Sequence, residues 1–302
     1  MTKPCLSGIT QTSLDRSQPI LRPGNTNCGG CGMSIGLNFL THAVANRPIQ
    51  MVIPACCGIV TAGAYPFSAY GAPVLASTFA SAAAVATGLS QVARLNAENT
   101  RVICWTGDGG TFDIGMATLS AAAERNEDIL YICYDNEIYG NTGGQRSSAT
   151  PLGAVTTTTP EGKGVIKKDI LAVMAAHHIP YAASISLAHP EDTLRKMKYA
   201  VELQGFRFLH ILSPCPTGWK SEPEKGIELI ELAITSGLYP VYEIFNGHEI
   251  KINVEPEQSS KLAIEALSKY VSLQGRFKST VELEHLYRAI KLTWTNLRTS
   301  VN

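Results

Sequence analysis

Asp108, inside Gly107-Asp108-Gly109-Gly110, and Asn136, inside Asp135-Asn136, bring a carboxylate oxygen and an amide oxygen, each directly behind an apolar run. A Mg²⁺ ion, which demands near-octahedral oxygen ligation at roughly 2.1 Å, can use both while holding a diphosphate. Cysteines surround these turns: Cys28-Gly29-Gly30-Cys31, the adjacent Cys56-Cys57, and Cys215 in Ser213-Pro214-Cys215-Pro216-Thr217-Gly218-Trp219. Four dispersed thiolates in loops, free to converge, suit iron and sulfide. Spacing does not separate Cys56 from Cys57. It also leaves structural zinc as a rival, although zinc modules normally draw their third and fourth ligands from a second short-range pair. Cys104 and Cys133 fall inside apolar runs and read as small buried hydrophobes, and Cys5 receives no role.

Such groups need a scaffold that brings them to one place. The chain has 302 residues and 45% hydrophobic content, enough to bury a sizeable core. Lys plus Arg equals Asp plus Glu at 25 each, and no basic cluster is interleaved with aromatics, which argues against nucleic acid as a partner. Residues 1–10 lack the charged start and apolar run of a secretory signal, and 76–95 is too rich in Ser, Thr and Gln to span a membrane. A cytoplasmic protein is expected. Eight cysteines then call for metals or catalysis, because a reducing compartment disfavours disulfides.

Apolar runs alternating with helical stretches predict an open, mostly parallel α/β sheet with helices on both faces. The expected strands are 51–55, 101–106, 129–135, 181–186, 206–212 and 241–245. Helices are expected over 76–95, over 112–125 with Thr111 or Asp113 as cap, over 170–178 capped by Asp169, from Pro190 to about 204, and over 226–236 stopped by Gly237. The Gly- and Thr-rich stretch 136–168 is too long for a plain connector and should cover a site. After about 250 the alternation is expected to stop. Residues 1–250 then form the binding domain, and 251–302 a helical arm, with helices over 262–271 and 281–297, packed on a partner subunit.

In open α/β sheets ligands sit beyond the carboxyl ends of strands, where glycines admit phosphates to backbone N–H groups and helix N-termini. Twenty-five residues, 110–134, separate Gly109 from Asp135, enough for one crossover helix and the adjacent strand, so both turns emerge on one sheet edge. A plain Asx turn at Asp135-Asn136 is the structural alternative. The arrangement resembles the thiamine diphosphate signature. That resemblance implies Mg²⁺ bound by the Asp108 and Asn136 side chains and the Ile138 carbonyl, with Gly107, Gly109 and Gly110 lining the cofactor.

The whole chain resembles the β subunits of the 2-oxoacid:ferredoxin oxidoreductases, the pyruvate:ferredoxin oxidoreductase family. The likeness is carried by Cys28–Cys31, Cys56, 107–115, YICYDNEIYGNTGGQRSSATP at 131–151, 213–219 and 273–277. It implies a thiamine-diphosphate-binding fold, with Cys28, Cys31, Cys56 and Cys215 holding a [4Fe-4S] cluster; the choice of Cys56 comes from the resemblance alone. It implies Asn141 beside the thiazolium and substrate as an amide donor, and Thr142 on the diphosphate. The implied reaction is oxidative decarboxylation of a short 2-oxo acid, pyruvate first, with single electrons passing through the cluster to ferredoxin. Coenzyme A takes the acyl product in pyruvate-type members.

The family supplies the glutamate that activates thiamine, together with substrate-recognition residues, from an α subunit, and a ferredoxin-like subunit completes the complex. Glu124, Glu127 and Glu137 read as surface residues, so the isolated chain is expected to be half an active site. His177 and His178 end a helix and receive no chemistry; Arg146 and Cys57 are left unassigned. Oxalate, 2-oxoisovalerate and an aryl glyoxylate stay open as substrates, since 51–68 departs from the pyruvate-type pattern. 2-Oxoglutarate fits least, because Gly110 stands where a second acidic residue is expected. The rival functions are a non-redox thiamine enzyme with structural zinc and an electron-transfer or assembly subunit with a vestigial site.

Overall fold

A computed structural model describes residues 19–61, 68–278 and 282–299. Cys5, the N-terminal ten residues and part of the divergent 51–68 stretch lie outside them. Among the described residues eight strands form one sheet in the order β2-β1-β3-β4-β6-β5-β7-β8. These are β1 (Ile49–Pro54), β2 (Val74–Ser77), β3 (Arg101–Gly107), β4 (Ile129–Asp135), β5 (Tyr181–Ile185), β6 (Phe206–Leu212), β7 (Val241–Phe245) and β8 (Glu249–Val254). Every pairing from β2 through β5 is parallel, whereas β7 runs antiparallel to β5 and β8 antiparallel to β7.

The period of two along β4 divides the core. Leu130, Ile132 and Tyr134 join one apolar cluster, and Ile129, Tyr131 and Cys133 join the one on the opposite face. The first face is covered by α1 (Gly32–Val44), α6 (Pro190–Glu202) and α8 (Gly226–Thr235), the second by α3 (Ala82–Leu95), α4 (Met116–Glu124) and α5 (Ile170–Ala175). All seven residues of β4 are buried, which an apolar strand between two helical layers requires. Asp169 caps α5 as expected, its carboxylate accepting the Ala172 N–H at 3.0 Å.

Several elements differ from expectation. The helix expected from residue 76 begins at Ala82, because Val74–Ser77 pairs with β1 as an edge strand and the Thr78 and Ser81 hydroxyls bond each other at 2.8 Å in the turn between. Helix α1 was not foreseen, although Met33, Leu37, Leu40 and Val44, spaced four, three and four apart, are its buried stripe. The alternation does not stop at 250: the polar–apolar sequence Glu249–Val254 is a half-exposed edge strand. The expected domain boundary therefore falls inside the β7–β8 hairpin. Beyond it, α9 (Ser260–Ser272) and α10 (Leu283–Thr299) cover the chain's own helices, and Trp294 Nε1 donates to Gly237 O at 2.8 Å. Among the described residues no helix is long and apolar enough to cross a membrane.

Candidate active site

Four neighbouring strands, β1, β3, β4 and β6, end at the same sheet edge. Each delivers one candidate group: Cys56-Cys57 follows β1, Asp108 follows β3, Asn136 follows β4 and Cys215 follows β6. This is the carboxyl edge where parallel sheets place ligands. The chain leaves β3 through a π-helical turn, Gly109–Asp113, rather than the expected helix start at Phe112. Thr111 and Asp113 do not cap it. Thr111 Oγ1 donates back to Gly107 O at 2.8 Å, and the Asp113 carboxylate accepts the Tyr139 hydroxyl at 2.9 Å and the Ser148 N–H at 3.1 Å. Gly109 is required by close approach, since a Cβ there would lie 2.3 Å from the Tyr139 ring.

The oxygen donors converge. Asn136 Oδ1 lies 2.9 Å from Asp108 Oδ1 and 2.9 Å from the Ile138 carbonyl oxygen; turned over, the same amide would donate N–H to both. A cation between the three groups would favour the orientation with the amide oxygen inward, and hydrogen bonding in its place favours the turned-over one. Ligands at roughly 2.1 Å and at right angles around Mg²⁺ stand ~3.0 Å apart, which matches. The donor set therefore fits a magnesium ion. Asp108 is buried, and burial first, then the Asp135 charge, push its carboxyl well above the ordinary range, opposed by the Ser147 hydroxyl and Lys167.

The turn that carries these oxygens is held by Glu137, Asp135 and their partners. Glu137, expected at the surface, is 4% exposed and sits at φ +64°, a left-handed conformation costing about 1–2 kcal/mol for a residue with a Cβ. Its N–H donates to Asp135 Oδ1 at 2.9 Å, and its carbonyl accepts the Thr150 hydroxyl at 2.7 Å. Its carboxylate meets Lys167 at 3.0 Å and Arg276 at 2.7 Å. Asp135 in turn takes Lys167 and, at 2.8 Å, His210. Burial opposes charge on Asp135, but Lys167 and His210 outweigh it and hold the carboxyl below its usual range. Glu127 is also buried, bonded to Gln91 at 2.6 Å, whereas Glu124 is exposed as expected.

The long loop folds down on these groups. Ser147 and Ser148 bond Asp108 and Asp113, and Lys163, itself buried, donates to the carbonyls of Ser148 at 2.9 Å and Thr150 at 2.6 Å. Asn141 and Thr142 are exposed at its tip; the Thr142 hydroxyl donates to Gln145, and Asn141 Oδ1 accepts the Cys57 thiol at 3.5 Å. Arg146 is exposed.

The sulfur donors stand beside the oxygen site but are less closely gathered. The Cys28–Cys31 knuckle is tied to the Cys215 loop: Gly32 N–H donates to Pro214 O at 2.9 Å, and the Thr217 hydroxyl reaches Cys28 Sγ at 3.9 Å. Cys215 Sγ accepts the Gly218 N–H at 3.3 Å. Of the adjacent pair, the structure turns Cys56 away. Cys56 is 8% exposed, bonded to the Tyr134 hydroxyl and packed in the core, while Cys57 is partly exposed beside Asn141. Burial first, then the charges of Cys215, Cys56 and Cys31, push the Cys57 thiol up to about 12. Consecutive residues entering a helical turn point in different directions, and Cys57 is the one on the side of Asn141, Cys31 and Cys215. Among the described residues no three His, Cys, Asp or Glu side chains are already close enough to hold a metal ion. Cys104 and Cys133 are buried in β3 and β4 as expected.

Residues 56–211 match the family described as thiamine pyrophosphate enzyme, C-terminal TPP binding domain. The chain is 41% identical over 290 residues to ketoisovalerate oxidoreductase subunit VorB of Pyrococcus horikoshii, covering 91% of each chain. It is 37% identical over 271 residues to pyruvate synthase subunit PorB of Methanothermobacter marburgensis, covering 88% of this chain and 92% of the relative. The chain belongs to the β subunits of the 2-oxoacid:ferredoxin oxidoreductases. It is thus an oxidoreductase subunit with a thiamine-diphosphate-binding domain. The fold agrees: a 2-oxoglutarate:ferredoxin oxidoreductase from Magnetococcus marinus superposes with a TM-score of 0.61 at 22% identity, covering 92% of this chain and 95% of that one. Within this β subunit, Lys167, Arg276 and Ser147, which pack on or near the turn, were given no place in the sequence reading, Glu137 was read as a surface residue and Cys57 was left open. Arg276 and Ser147 lay inside the motifs that carried the resemblance, so their signal was present.

Proposed function

We propose that this β subunit serves, inside a cytoplasmic heteromeric complex, in the oxidative decarboxylation of a short aliphatic 2-oxo acid, with ferredoxin as electron acceptor. The observation that carries the reading is the convergence of the Asn136 side-chain amide on Asp108 Oδ1 and Ile138 O, 2.9 Å from each, at the strand edge that also carries the cysteine loops. Asp108, Asn136 and Ile138 would hold Mg²⁺ and, through it, thiamine diphosphate; Cys28, Cys31, Cys57 and Cys215 would hold a [4Fe-4S] cluster. When bound, thiamine diphosphate supplies the carbon–carbon cleavage and the cluster accepts electrons singly. The chain's own residues position and exclude water. The loop at 136–168 folds over the turn at Asp135–Ile138, Thr142 would bond the diphosphate, and the Asn141 amide would be offered to the substrate oxygen as charge develops there. The activating glutamate comes from an α subunit: Glu137 is already engaged by Lys167 and Arg276, Glu127 by Gln91 and Arg125, and Glu124 lies exposed on α4.

Pyruvate and 2-oxoisovalerate are the two substrates to separate, and the 41% relative named for ketoisovalerate favours the second. The test is the anoxically purified native complex, analysed for thiamine diphosphate, iron and acid-labile sulfide and assayed with a panel of 2-oxo acids, with and without coenzyme A. Ferredoxin reduction with one of these acids is expected from the complex and little or none from the isolated subunit. A complex lacking iron and sulfide, or robust turnover by the isolated chain, would overturn the reading.

A further inference from the structure

Arg276 lies 139 residues from Glu137 in sequence, yet it is 2% exposed directly beneath the metal turn. Its guanidinium donates from Nη2 to Glu137 Oε2 at 2.7 Å and to the Tyr270 hydroxyl at 3.0 Å, and from Nε to Gln274 Oε1 at 2.8 Å. Its Cζ lies over the Trp219 ring, 4.4 Å from the centroid. Trp219, fully buried, donates Nε1–H to Asn136 O at 2.8 Å. Trp219 closes the short helix that Cys215 opens. In the same helix Gly218 presses on Ile138: a Cβ at Gly218 would stand 2.8 Å from Ile138 Cγ2 and 3.2 Å from Cys215 Sγ.

Three consecutive residues of the oxygen turn are therefore held from the sulfur side. Asn136 is held by Trp219, Glu137 by Arg276, and Ile138 by Gly218. Arg276 touches both Glu137 and Trp219, with a fork for the carboxylate and a flat face for the indole, a combination lysine cannot provide. We propose that Arg276 is a positioning residue that locks the oxygen turn to the Cys215 loop, so that the metal–diphosphate site and the sulfur site behave as one rigid unit. The inference rests on the functional reading above. The Glu137 left-handed backbone gives the lock something to hold: a strained turn relaxes when its side-chain anchor is removed, and the Asn136 amide and Ile138 carbonyl then part.

The test uses the anoxically purified complex carrying Arg276→Met, Arg276→Lys, or Arg276→Met with Glu137→Gln. The readouts are Mn²⁺ affinity in the presence of thiamine diphosphate, followed by the Mn²⁺ EPR signal, the EPR line shape of the reduced cluster, and the melting temperature. Loss of an outer partner of metal ligands weakens metal affinity by about 10–100-fold, and that range is expected for Arg276→Met, with a changed cluster line shape. The double variant removes the buried carboxylate that Arg276→Met leaves with Lys167 as its remaining ion-pair partner, so it is expected to regain part of the melting temperature without regaining Mn²⁺ affinity. Arg276→Lys is expected to fall between wild type and Arg276→Met in affinity, and it carries the test if Arg276→Met fails to accumulate. Wild-type Mn²⁺ affinity in Arg276→Lys or Arg276→Met, or affinity restored in the double variant, would overturn the lock. A wild-type complex that binds no Mn²⁺ with thiamine diphosphate would instead remove the functional reading and the lock together.

Discussion

The oxygen site and the sulfur site occupy neighbouring strand ends, yet one is assembled and the other is not. Asp108, Asn136 and Ile138 meet at 2.9 Å in a buried turn, whereas Cys28 is exposed, Cys31, Cys57 and Cys215 are partly exposed, and no trio among the described residues is near enough to bind a metal. The difference follows from charge. Two of the three oxygens are neutral dipoles, so the protein can fix them in place before a cation arrives. Four thiolates would repel one another, and burial with the neighbouring cysteines raises the Cys57 thiol to about 12. Thiol ligands in general lose their protons to a metal as it binds, so a site built of them need not be gathered beforehand. A hard-cation site can be part of the fold, while a sulfur site is completed by its guest.

The largest effect that sharpens this comparison is at the adjacent cysteines. Cys57→Ser is expected to lose most of its iron and acid-labile sulfide, while Cys56→Ser keeps both and loses only some stability. The reverse pattern on metal analysis would return the ligand role to Cys56. Next in size, Asp108→Asn should weaken Mg²⁺-dependent thiamine diphosphate binding by about 100-fold or more, beyond what an outer partner costs, with iron content unchanged. Simultaneous loss of iron would break the distinction between a preformed site and a guest-completed one. Trp219→Phe keeps the ring but orphans the Asn136 carbonyl, a change worth about 1–3 kcal/mol. Chemical unfolding should reveal it.

The smallest expected effect lies away from both sites and serves as their control. Burial opposes charge on Glu243, but hydrogen bonds from Arg195, Asn253 and Tyr181 hold its carboxyl down at about 2. A depressed pKa contributes stability that is present above the unfolded value, near 4.5, and is lost as pH falls toward 2. Arg195 is half exposed, so solvent screening limits the contribution to about 1–2 kcal/mol. Glu243→Gln should therefore be less stable than wild type at pH 6, with the gap closing toward pH 2 in acid melts. A gap that stays constant with pH would show that the ion pair is not its source.

Much of the scaffold was readable because its signals are local. The six expected strands correspond to observed ones, since β1, β3, β4, β5, β6 and β7 are short apolar runs buried on both faces. Edge strands β2 and β8 escaped because half of each faces water, and a short alternating pattern competes poorly with neighbouring helical signals. Glu137 was misread for a related reason: a charged residue after a strand normally meets solvent, and its ion-pair partners Lys167 and Arg276 make its burial tolerable.

The sequence by itself determined the parallel sheet, the two turns behind β3 and β4, the presence of Asp108 and Asn136 in them and the supply of thiols, because each depends on residue type and short spacing. The tertiary structure alone decided which of Cys56 and Cys57 turns toward the other sulfurs, and that Arg276 underlies a turn 139 residues away. Side-chain direction at a strand end and pairing across the chain are set by packing, and packing has no representation in the order of residues until the chain is folded.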